Sequence, residues 1–386
     1  GVLKGKIQTL TAEIWARKGL VVFQFIISIV LIASVLVIYK QMEFVQTKNL
    51  GYNKENILII QRKGELWKQE KLESFLDRIK NVPGIQEASI IGHNLAGRNG
   101  GTYRIEWQGK DPLDKTEFER FPVYYDMIEL LGIQLKAGRS FSKEYASDSS
   151  AIIFNETAIR FMKLEDPIGT TVKLWGKERR IIGVVRDFHF ESFREPLKPL
   201  FIWLAPGYTW NVMVKVEAGK EQEAIARLQD IHGELNAGFP MDYRFQDEDY
   251  LSLYSAERRV SMLSKYFACL AILISCLGLF GLAAFTTERR TREIGIRKIL
   301  GSGEFGIIRL LTGDFTRMVV MAILIALPLS YLVTRHWLNG FVYHIRLSIW
   351  FFAAAGLLAL LIAWLTVGLH TWKAARINPV KCLKEE

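Results

Sequence analysis

Four long apolar stretches divide the chain. They cover residues 20–39, 266–285, 318–334 and 347–369, and none contains Asp, Glu, Lys, Arg or His. About twenty helical residues rise about 30 Å, which is the thickness of the hydrocarbon core of a bilayer. The third stretch is the least apolar and contains Pro328, which a membrane helix tolerates. The pattern predicts four transmembrane α-helices.

The long segment between the first two spans, residues 40–265, has the pattern of a folded α+β domain. Helical spacing of apolar residues predicts one helix through Leu72 and Ile79 and another through Ile225, Leu228, Ile231 and Leu235. Asn155 is positioned to cap a short helix. Strand–helix–strand at both ends predicts a split βαβ unit, with a mostly β subdomain inserted over about 93–198. Short apolar runs predict strands at 57–60, 151–154, 171–175, 180–185, 212–216 and 243–246.

Both ends of this domain lack helix breakers. After the first span none occurs before Asn49-Leu50-Gly51, and 249–266 contains neither Gly nor Pro. We therefore expect both membrane helices to continue as a stalk under the domain. Ordinary juxtamembrane turns are the alternative.

The excess of basic residues lies in the short segments beside the spans. The chain has 386 residues, 50% hydrophobic and 23% charged, with a net charge of +10. The excess is +3 in 1–19, +3 in 286–317, +2 in 335–346 and +2 in 370–386, whereas 40–265 carries 33 Lys/Arg and 33 Asp/Glu. A nucleic-acid partner is excluded, because the large polar segment has no basic excess. Short cytoplasmic flanks attract Lys and Arg, which predicts a cytoplasmic N-terminal segment 1–19, inner loop 286–317 and tail 370–386. The domain 40–265 and the loop 335–346 are then extracytoplasmic.

The sequence contains none of the common motifs of reactive groups. No Gly-Lys pair has a glycine five residues earlier, so there is no phosphate-binding P-loop. The six histidines show no metal-ligand spacing, and no nucleophile elbow occurs. The strand-end pair Asp187 and His189 is better explained by a structural hydrogen bond. The sequence thus predicts no catalytic residue, no metal site and no directly bound cofactor. Because the four spans contain no Asp, Glu, Lys, Arg or His, we expect the energy for any work to enter from outside the membrane core.

The inner loop carries an amphipathic helical pattern. Glu288 and Arg292, and likewise Glu293 and Arg297, stand four apart with the acid first, which is the favourable order on a helix. Ile296, Ile299 and Leu300 form another face. Such a helix lies on a membrane surface or docks into a partner's groove.

These residues carry a resemblance to a known family. The run 288–301, Glu-Arg-Arg-Thr-Arg-Glu-Ile-Gly-Ile-Arg-Lys-Ile-Leu-Gly, resembles the signature of FtsX/MacB-like ABC-transporter permeases. The tail 375–380 and the stretches 167–169 and 181–189 are similar to the same family. The start of the chain resembles the second half of permeases that contain the four-span unit twice, and we expect Gly1 to follow further residues or processing.

The resemblance implies a transmembrane permease subunit of the mechanotransmission type, with a MacB-type periplasmic core domain between helices 1 and 2. A separate cytoplasmic ABC ATPase would hold ATP-Mg and move the extracytoplasmic domain for export or extraction of a lipoprotein, peptide or antimicrobial. Other implied partners are a second permease half or homodimer partner, membrane lipid, and a periplasmic or outer-membrane component. The implied location is the bacterial inner membrane. The implied ATPase-contact residues are Glu288, Arg289, Arg290, Glu293, Ile294, Gly295, Arg297, Lys298, Leu300 and Gly301.

Two alternatives remain open at this point. The chain could be a sensor that signals ligand binding inward without transport, although its inner segments contain no signalling domain. It could also be a membrane enzyme, which the missing reactive groups disfavour.

Overall fold

The structure is a computed structural model that describes residues 2–98, 100–290, 296 and 304–375. The chain divides into a helical unit, residues 1–45 with 256–386, and an α+β unit, residues 46–255. The α-helices of the described residues are α1 (Val2–Thr47), α2 (Gln69–Lys80), α3 (Met127–Leu131), α4 (Glu156–Met162), α5 (Glu221–Leu235), α6 (Gln246–Ser252), α7 (Ser255–Arg289), α8 (Glu304–Leu338) and α9 (Ile349–Ala375).

Twelve strands of the described residues form one mixed sheet. They are β1 (Ile57–Gln61), β2 (Ile85–Ile91), β3 (Gly101–Thr102), β4 (Ile105–Glu106), β5 (Phe118–Val123), β6 (Leu135–Gly138), β7 (Ala151–Asn155), β8 (Thr171–Leu174), β9 (Lys177–Val185), β10 (Leu200–Leu204), β11 (Asn211–Val216) and β12 (Tyr243–Phe245).

The helical unit contains the four predicted spans. By length and apolar composition, four helical segments of the described chain could cross a membrane: Trp15–Thr47, Ser255–Arg289, Thr312–Leu338 and Ile349–Leu369. The fourth begins two residues after the predicted start at 347. Helix α8 runs through Pro328 to Leu338.

Alanines recur at regular intervals in the core of the helical unit. Ala355, Ala359 and Ala363 recur every four residues on α9, and Ala322 and Ala326 do so on α8. Such spacing lets helix backbones approach closely. The buried hydroxyls of Ser28 and Ser275 add a hydrogen bond between α1 and α7 at 3.0 Å.

The two ends of the α+β unit form the predicted split βαβ arrangement. Strands β12, β1, β11 and β2 lie side by side in that order, and every neighbouring pair is antiparallel. Helices α2 and α5 cover one face. The α2 residues Leu72, Phe75, Leu76 and Ile79 are all buried, as their spacing predicts.

The inserted part continues the same sheet and has its own core. Strand β2 meets β5 at the pair Ile91 and Val123, and β5 pairs with β10 in parallel. Strands β8 and β9 form the predicted hairpin around Gly176-Lys177. The inserted strands continue to Leu204 in β10, beyond the predicted limit near 198. Large aromatic side chains, among them Phe118, Phe154 and Phe201, fill this second core.

The structure confirms the fold class, four apolar helices with an α+β domain between the first and the rest. It corrects two details. The second stalk is not one helix from 249 onward, because the chain turns at Leu253 and Tyr254, where Tyr254 is drawn into the domain interior. On α5 the buried residues are Ala224, Leu228 and His232, while Ile225, Ile231 and Leu235 are only partly buried.

Candidate functional site

The predicted coupling segment begins at the end of α7. Glu288 and Arg289 lie in the last turn of this helix and are exposed to solvent. Arg290 follows, and its guanidinium forms an ion pair with Asp314 of α8 at 3.2 Å. Its backbone N–H donates to the carbonyls of Thr286 and Thr287. This ion pair holds the end of α7, where the predicted loop begins, against α8.

A second contact at this end of α7 involves α1. The guanidinium groups of Arg17 and Arg289 both lie over the ring of Phe285, 5.0 Å and 4.8 Å from its centroid. Cation–π contacts of this kind contribute about 0.5–1 kcal/mol each at exposed positions. We call Arg17, Phe285, Arg289, Arg290 and Asp314 the α7 end contact. It joins three of the four long helices at one place.

The other predicted coupling residues lie outside the described part of the chain. These are Glu293, Ile294, Gly295, Arg297, Lys298, Leu300 and Gly301. Their role in ATPase contact stays a prediction. Ile296, which is described, is helical and 52% exposed.

A second candidate region, which the sequence did not predict as a site, lies in the α+β unit. Here residues 46–55, 186–193 and 246–254 pack together, and we call them the domain junction. Gly51 has φ +85°, and a Cβ atom there would lie 2.8 Å from the carbonyl oxygen of Asp187. The His189 N–H donates to the Leu50 carbonyl at 2.7 Å. The chain that enters the domain is therefore held directly on the end of β9.

The chain that leaves the domain is anchored at the same junction. Tyr250 and Tyr254 are fully buried. The Tyr254 hydroxyl accepts a hydrogen bond from the Phe193 N–H at 2.7 Å, and the Lys54 ammonium lies over the Tyr250 ring at 4.6 Å. Burial raises the pKa of the Tyr250 hydroxyl, which therefore stays neutral. Incoming and outgoing segments thus share one packed region.

Asp187 connects the junction to the inserted part. Its carboxylate accepts hydrogen bonds from the Thr157 N–H and hydroxyl, both at 2.9 Å, from Asn155 at 2.8 Å, and from Arg160. Asn155 in turn accepts from the Ala158 N–H and caps α4, as predicted. Burial is the main cause of the lowered pKa of His189, which the nearby Asp187 charge partly offsets. Asp187 therefore has the predicted strand-end structural role.

Two family models match nearly the whole chain. The MacB-like periplasmic core domain matches residues 19–231, and the FtsX-like permease C-terminal domain matches residues 266–379. The first alone covers more than half of the chain. The chain belongs to the FtsX/MacB-like ABC-transporter permeases.

Curated relatives of this permease include the macrolide export ATP-binding/permease protein MacB of Escherichia coli K12 and of Shigella flexneri. Each is 22% identical over 286 residues, which is 68% of this chain. The chain spans 42% of the length of these relatives. The FtsX-like permease family model identifies the chain as a transmembrane component.

Solved structures similar to the permease include a periplasmic region and an extracellular domain. The periplasmic region of MacB from Actinobacillus actinomycetemcomitans has a TM-score of 0.38 at 14% identity and covers 54% of this chain and 98% of that chain. The extracellular domain of the noncanonic ABC-type transporter YknZ from Gram-positive bacteria has a TM-score of 0.35 at 16% identity, with 49% and 99% covered.

Among the described residues of the permease, no group of three or more His, Cys, Asp or Glu side chains is placed to hold a metal ion. The family and the four apolar helices make the chain a multi-pass membrane protein with a periplasmic domain.

Proposed function

We propose that this permease transmits motion between a cytoplasmic ABC ATPase and its own periplasmic domain. The observation that carries the proposal is the length of α1, 46 residues without a break. At about 1.5 Å per residue this helix spans about 69 Å, roughly twice the hydrocarbon core. One continuous helix therefore extends from the residues before Arg17 to Thr47, at the start of the domain junction.

The proposed energy input is the segment 288–301. The α7 end contact supports this role, because it ties the start of that segment to α1 and α8. A displacement of the loop would then be shared by three helices rather than lost in a flexible connection. ATP-Mg belongs to the partner ATPase in this scheme, and the permease itself hydrolyses nothing.

The remaining parts of the proposal concern sidedness, assembly and cargo. The N-terminus, the 286–317 loop and the tail would be cytoplasmic in a bacterial inner membrane, as the basic flanks suggest. The permease would act as a homodimer or with a second permease half. Its cargo would be a lipoprotein, a peptide or an antimicrobial compound, and a periplasmic or outer-membrane component could complete the path.

A charge reversal tests the ATPase contact. Arg297→Glu should reduce co-purification of the ATPase and its stimulation at least tenfold, because it replaces a cation of the predicted docking helix. Arg335→Glu is the matched control, since Arg335 lies in the last turn of α8 and outside the predicted loop. Undiminished capture by Arg297→Glu would refute the site. Ligand-dependent signalling without any ATPase partner would favour the sensor alternative instead.

A helix breaker tests mechanical transmission separately. Glu43 lies in α1 between the predicted span and the domain junction. Proline inside a helix costs about 3 kcal/mol and removes a backbone hydrogen bond. Glu43→Pro should leave ATPase capture intact but remove the ATP-dependent change in hydrogen exchange across residues 46–255, whereas Glu43→Ala should retain it. An unchanged exchange response in the proline variant would show that α1 does not transmit the motion.

Sidedness is tested by thiol labelling in spheroplasts. A cysteine introduced at Ser302 should resist a membrane-impermeant maleimide, and one at Asn339 should react. The opposite pattern would invert the topology and overturn the proposal.

A further inference from the structure

The inserted part of the α+β unit contains a cavity of about 610 Å³ that the proposed function does not use. Residues of β5, β8, β9 and β10 line it, together with the segment that precedes β11. The volume lies within the range of about 300–1,000 Å³ that is usual for small-molecule sites. Its lining combines aromatic and cationic side chains and contains no acidic residue.

Aromatic side chains form the cavity walls. Trp203 is buried and packs edge-to-face against Trp175, with ring centroids 5.4 Å apart. Trp210 packs edge-to-face against His93 at 5.3 Å and is 48% exposed, and Tyr208 is 70% exposed. Exposed tryptophan and tyrosine rings lose contact with water when a flat apolar group covers them, which makes these walls a surface for ring stacking.

Trp175 occupies an unusual backbone conformation at the rim. Its φ is +51° and that of the following Gly176 is +80°, in the tight turn between β8 and β9. Asn, Asp and Gly are the residues favoured in such turns, and a left-handed conformation costs a bulky residue about 1–2 kcal/mol. The indole N–H donates to the Thr102 hydroxyl at 3.2 Å, which holds the ring in place. The ring packs against Phe201 and Trp203, so this turn holds Trp175 as part of the cavity wall.

Three cations face the same cavity, namely Arg120, Lys177 and Arg179. The Arg120 Nε donates to the Gly100 carbonyl at 3.2 Å, and Arg179 Nη1 donates to two backbone carbonyls. The Nε of Arg179 is buried without a hydrogen-bond partner in the described chain. No described carboxylate forms an ion pair with any of the three, whereas the nearby Arg98 is paired with Glu119 at 3.5 Å.

We propose that this cavity binds a small organic anion that carries an aromatic or similarly flat ring. The ring would stack on the tryptophan walls, and a carboxylate or phosphate would accept hydrogen bonds from the three cations. Arginine suits this task because its planar, fixed donors match the geometry of both anions. This cavity brings unpaired cations and exposed aromatic rings together.

The inference goes beyond the proposed function and does not depend on it. The cavity lies wholly in the α+β unit, so ligand binding requires neither ATPase contact nor a moving α1. Loss of ATPase capture in Arg297→Glu would leave ligand binding unchanged, and failure to bind ligand would leave ATPase capture unchanged.

Calorimetric titration of the full chain in phosphatidylcholine nanodiscs tests the proposal, with empty nanodiscs as background. The probes are 2-naphthoate, 2-naphthyl phosphate and the neutral 2-naphthamide. We expect one saturable site per chain for at least one anion, with affinity at least tenfold above that of the amide. The carboxylate and phosphate arms show which anion the site prefers. Binding no greater than that of empty nanodiscs, or equal affinity for anion and amide, would overturn the proposal.

Matched variants locate the site. Lys177→Gln and Arg120→Gln should each weaken anion binding at least threefold, while Lys173→Gln, an exposed lysine of the same hairpin, should not. Trp210→Ala should also weaken binding, in contrast to Trp67→Ala, which removes a tryptophan of similar exposure that packs on Arg62 elsewhere. Anion affinity that is unaffected in both cation variants, in chains that retain their unfolding temperature, would place the binding elsewhere.

Discussion

The two units of this permease are packed in different ways. The helical unit brings its backbones together through small residues such as Ala355, Ala359 and Ala363. The inserted part of the periplasmic domain instead buries large rings, with Phe118 and Phe154 packed edge-to-face at 6.2 Å.

The difference follows from the surrounding solvent. In water, burial of a large ring removes much apolar surface and provides the main driving force of folding. Within a bilayer the lipid tails are as apolar as the side chains, so close backbone contact and interhelical hydrogen bonds hold helices together. The two units are therefore stabilised in different ways, and substitutions in each unit can test this difference.

The largest expected effect is in the aromatic core. Phe154→Ala removes a fully buried ring and should lower the free energy of unfolding of the periplasmic domain by about 3–5 kcal/mol. Phe280→Ala, on an exposed position of α7, is the control and should cost less than about 1 kcal/mol. Denaturant titration followed by fluorescence measures both. Equal losses would show that burial of the Phe154 ring is not what stabilises the periplasmic domain.

A buried ion pair gives the next largest effect. Asp148 is fully buried and accepts from Arg139 at 2.6 and 2.7 Å and from the Ser142 N–H. Asp148→Asn should cost about 1.5–3 kcal/mol at neutral pH, because it weakens the charge-assisted hydrogen bonds with Arg139. Ser149→Ala, beside it but exposed, is the control.

The pH dependence of this effect has a defined sign. Burial alone would raise the pKa of Asp148, but the hydrogen bonds and charge of Arg139 and the Ser142 N–H lower it below its ordinary value of 3.8. The stabilisation is therefore present above pH 3.8 and is lost as the pH falls through the lower pKa of the folded state. The difference between the wild type and Asp148→Asn should shrink over that acidic window. A difference that grows on acidification would contradict this assignment.

Overpacking tests the small-residue contacts of the helical unit. Ala359→Leu inserts a larger side chain at a position only 2% exposed and should destabilise this unit by about 1–3 kcal/mol. Ala354→Leu, the same substitution on the exposed side of α9, should be nearly neutral. Thermal unfolding in nanodiscs measures the pair. A tolerated Ala359→Leu would show that close approach is not required there.

The smallest expected effect concerns the hydrogen bond between Ser28 and Ser275. Ser28→Ala should cost about 0.6 kcal/mol, the average found for such bonds between membrane helices. Ser34→Ala is matched, because that hydroxyl bonds to the Val30 carbonyl of its own helix. The difference in unfolding free energy between the two variants measures the contribution of the interhelical hydrogen bond. Equal values would mean that this hydrogen bond does not stabilise the helical unit.

Local patterns predicted most of the elements. Alternation and Gly176 were enough for the β8–β9 hairpin, and helical spacing was enough for α2, because both depend on neighbours within a few residues. The break before α7 was not predictable in this way. Tyr250 and Tyr254 fit a helix locally, and only their burial against Lys54 and Phe193 explains the turn.

The sequence by itself determined the four spans, the basic flanks, the strand–helix–strand pattern and the signature of 288–301, since each is a property of adjacent residues and of their solvent. Only the tertiary structure decided the domain junction and the cavity. Residues far apart in sequence come together there: Lys54 contacts the Tyr250 ring, and Arg120 and Arg179 line the same cavity. Such meetings depend on the register of strands across the sheet, which no local pattern contains.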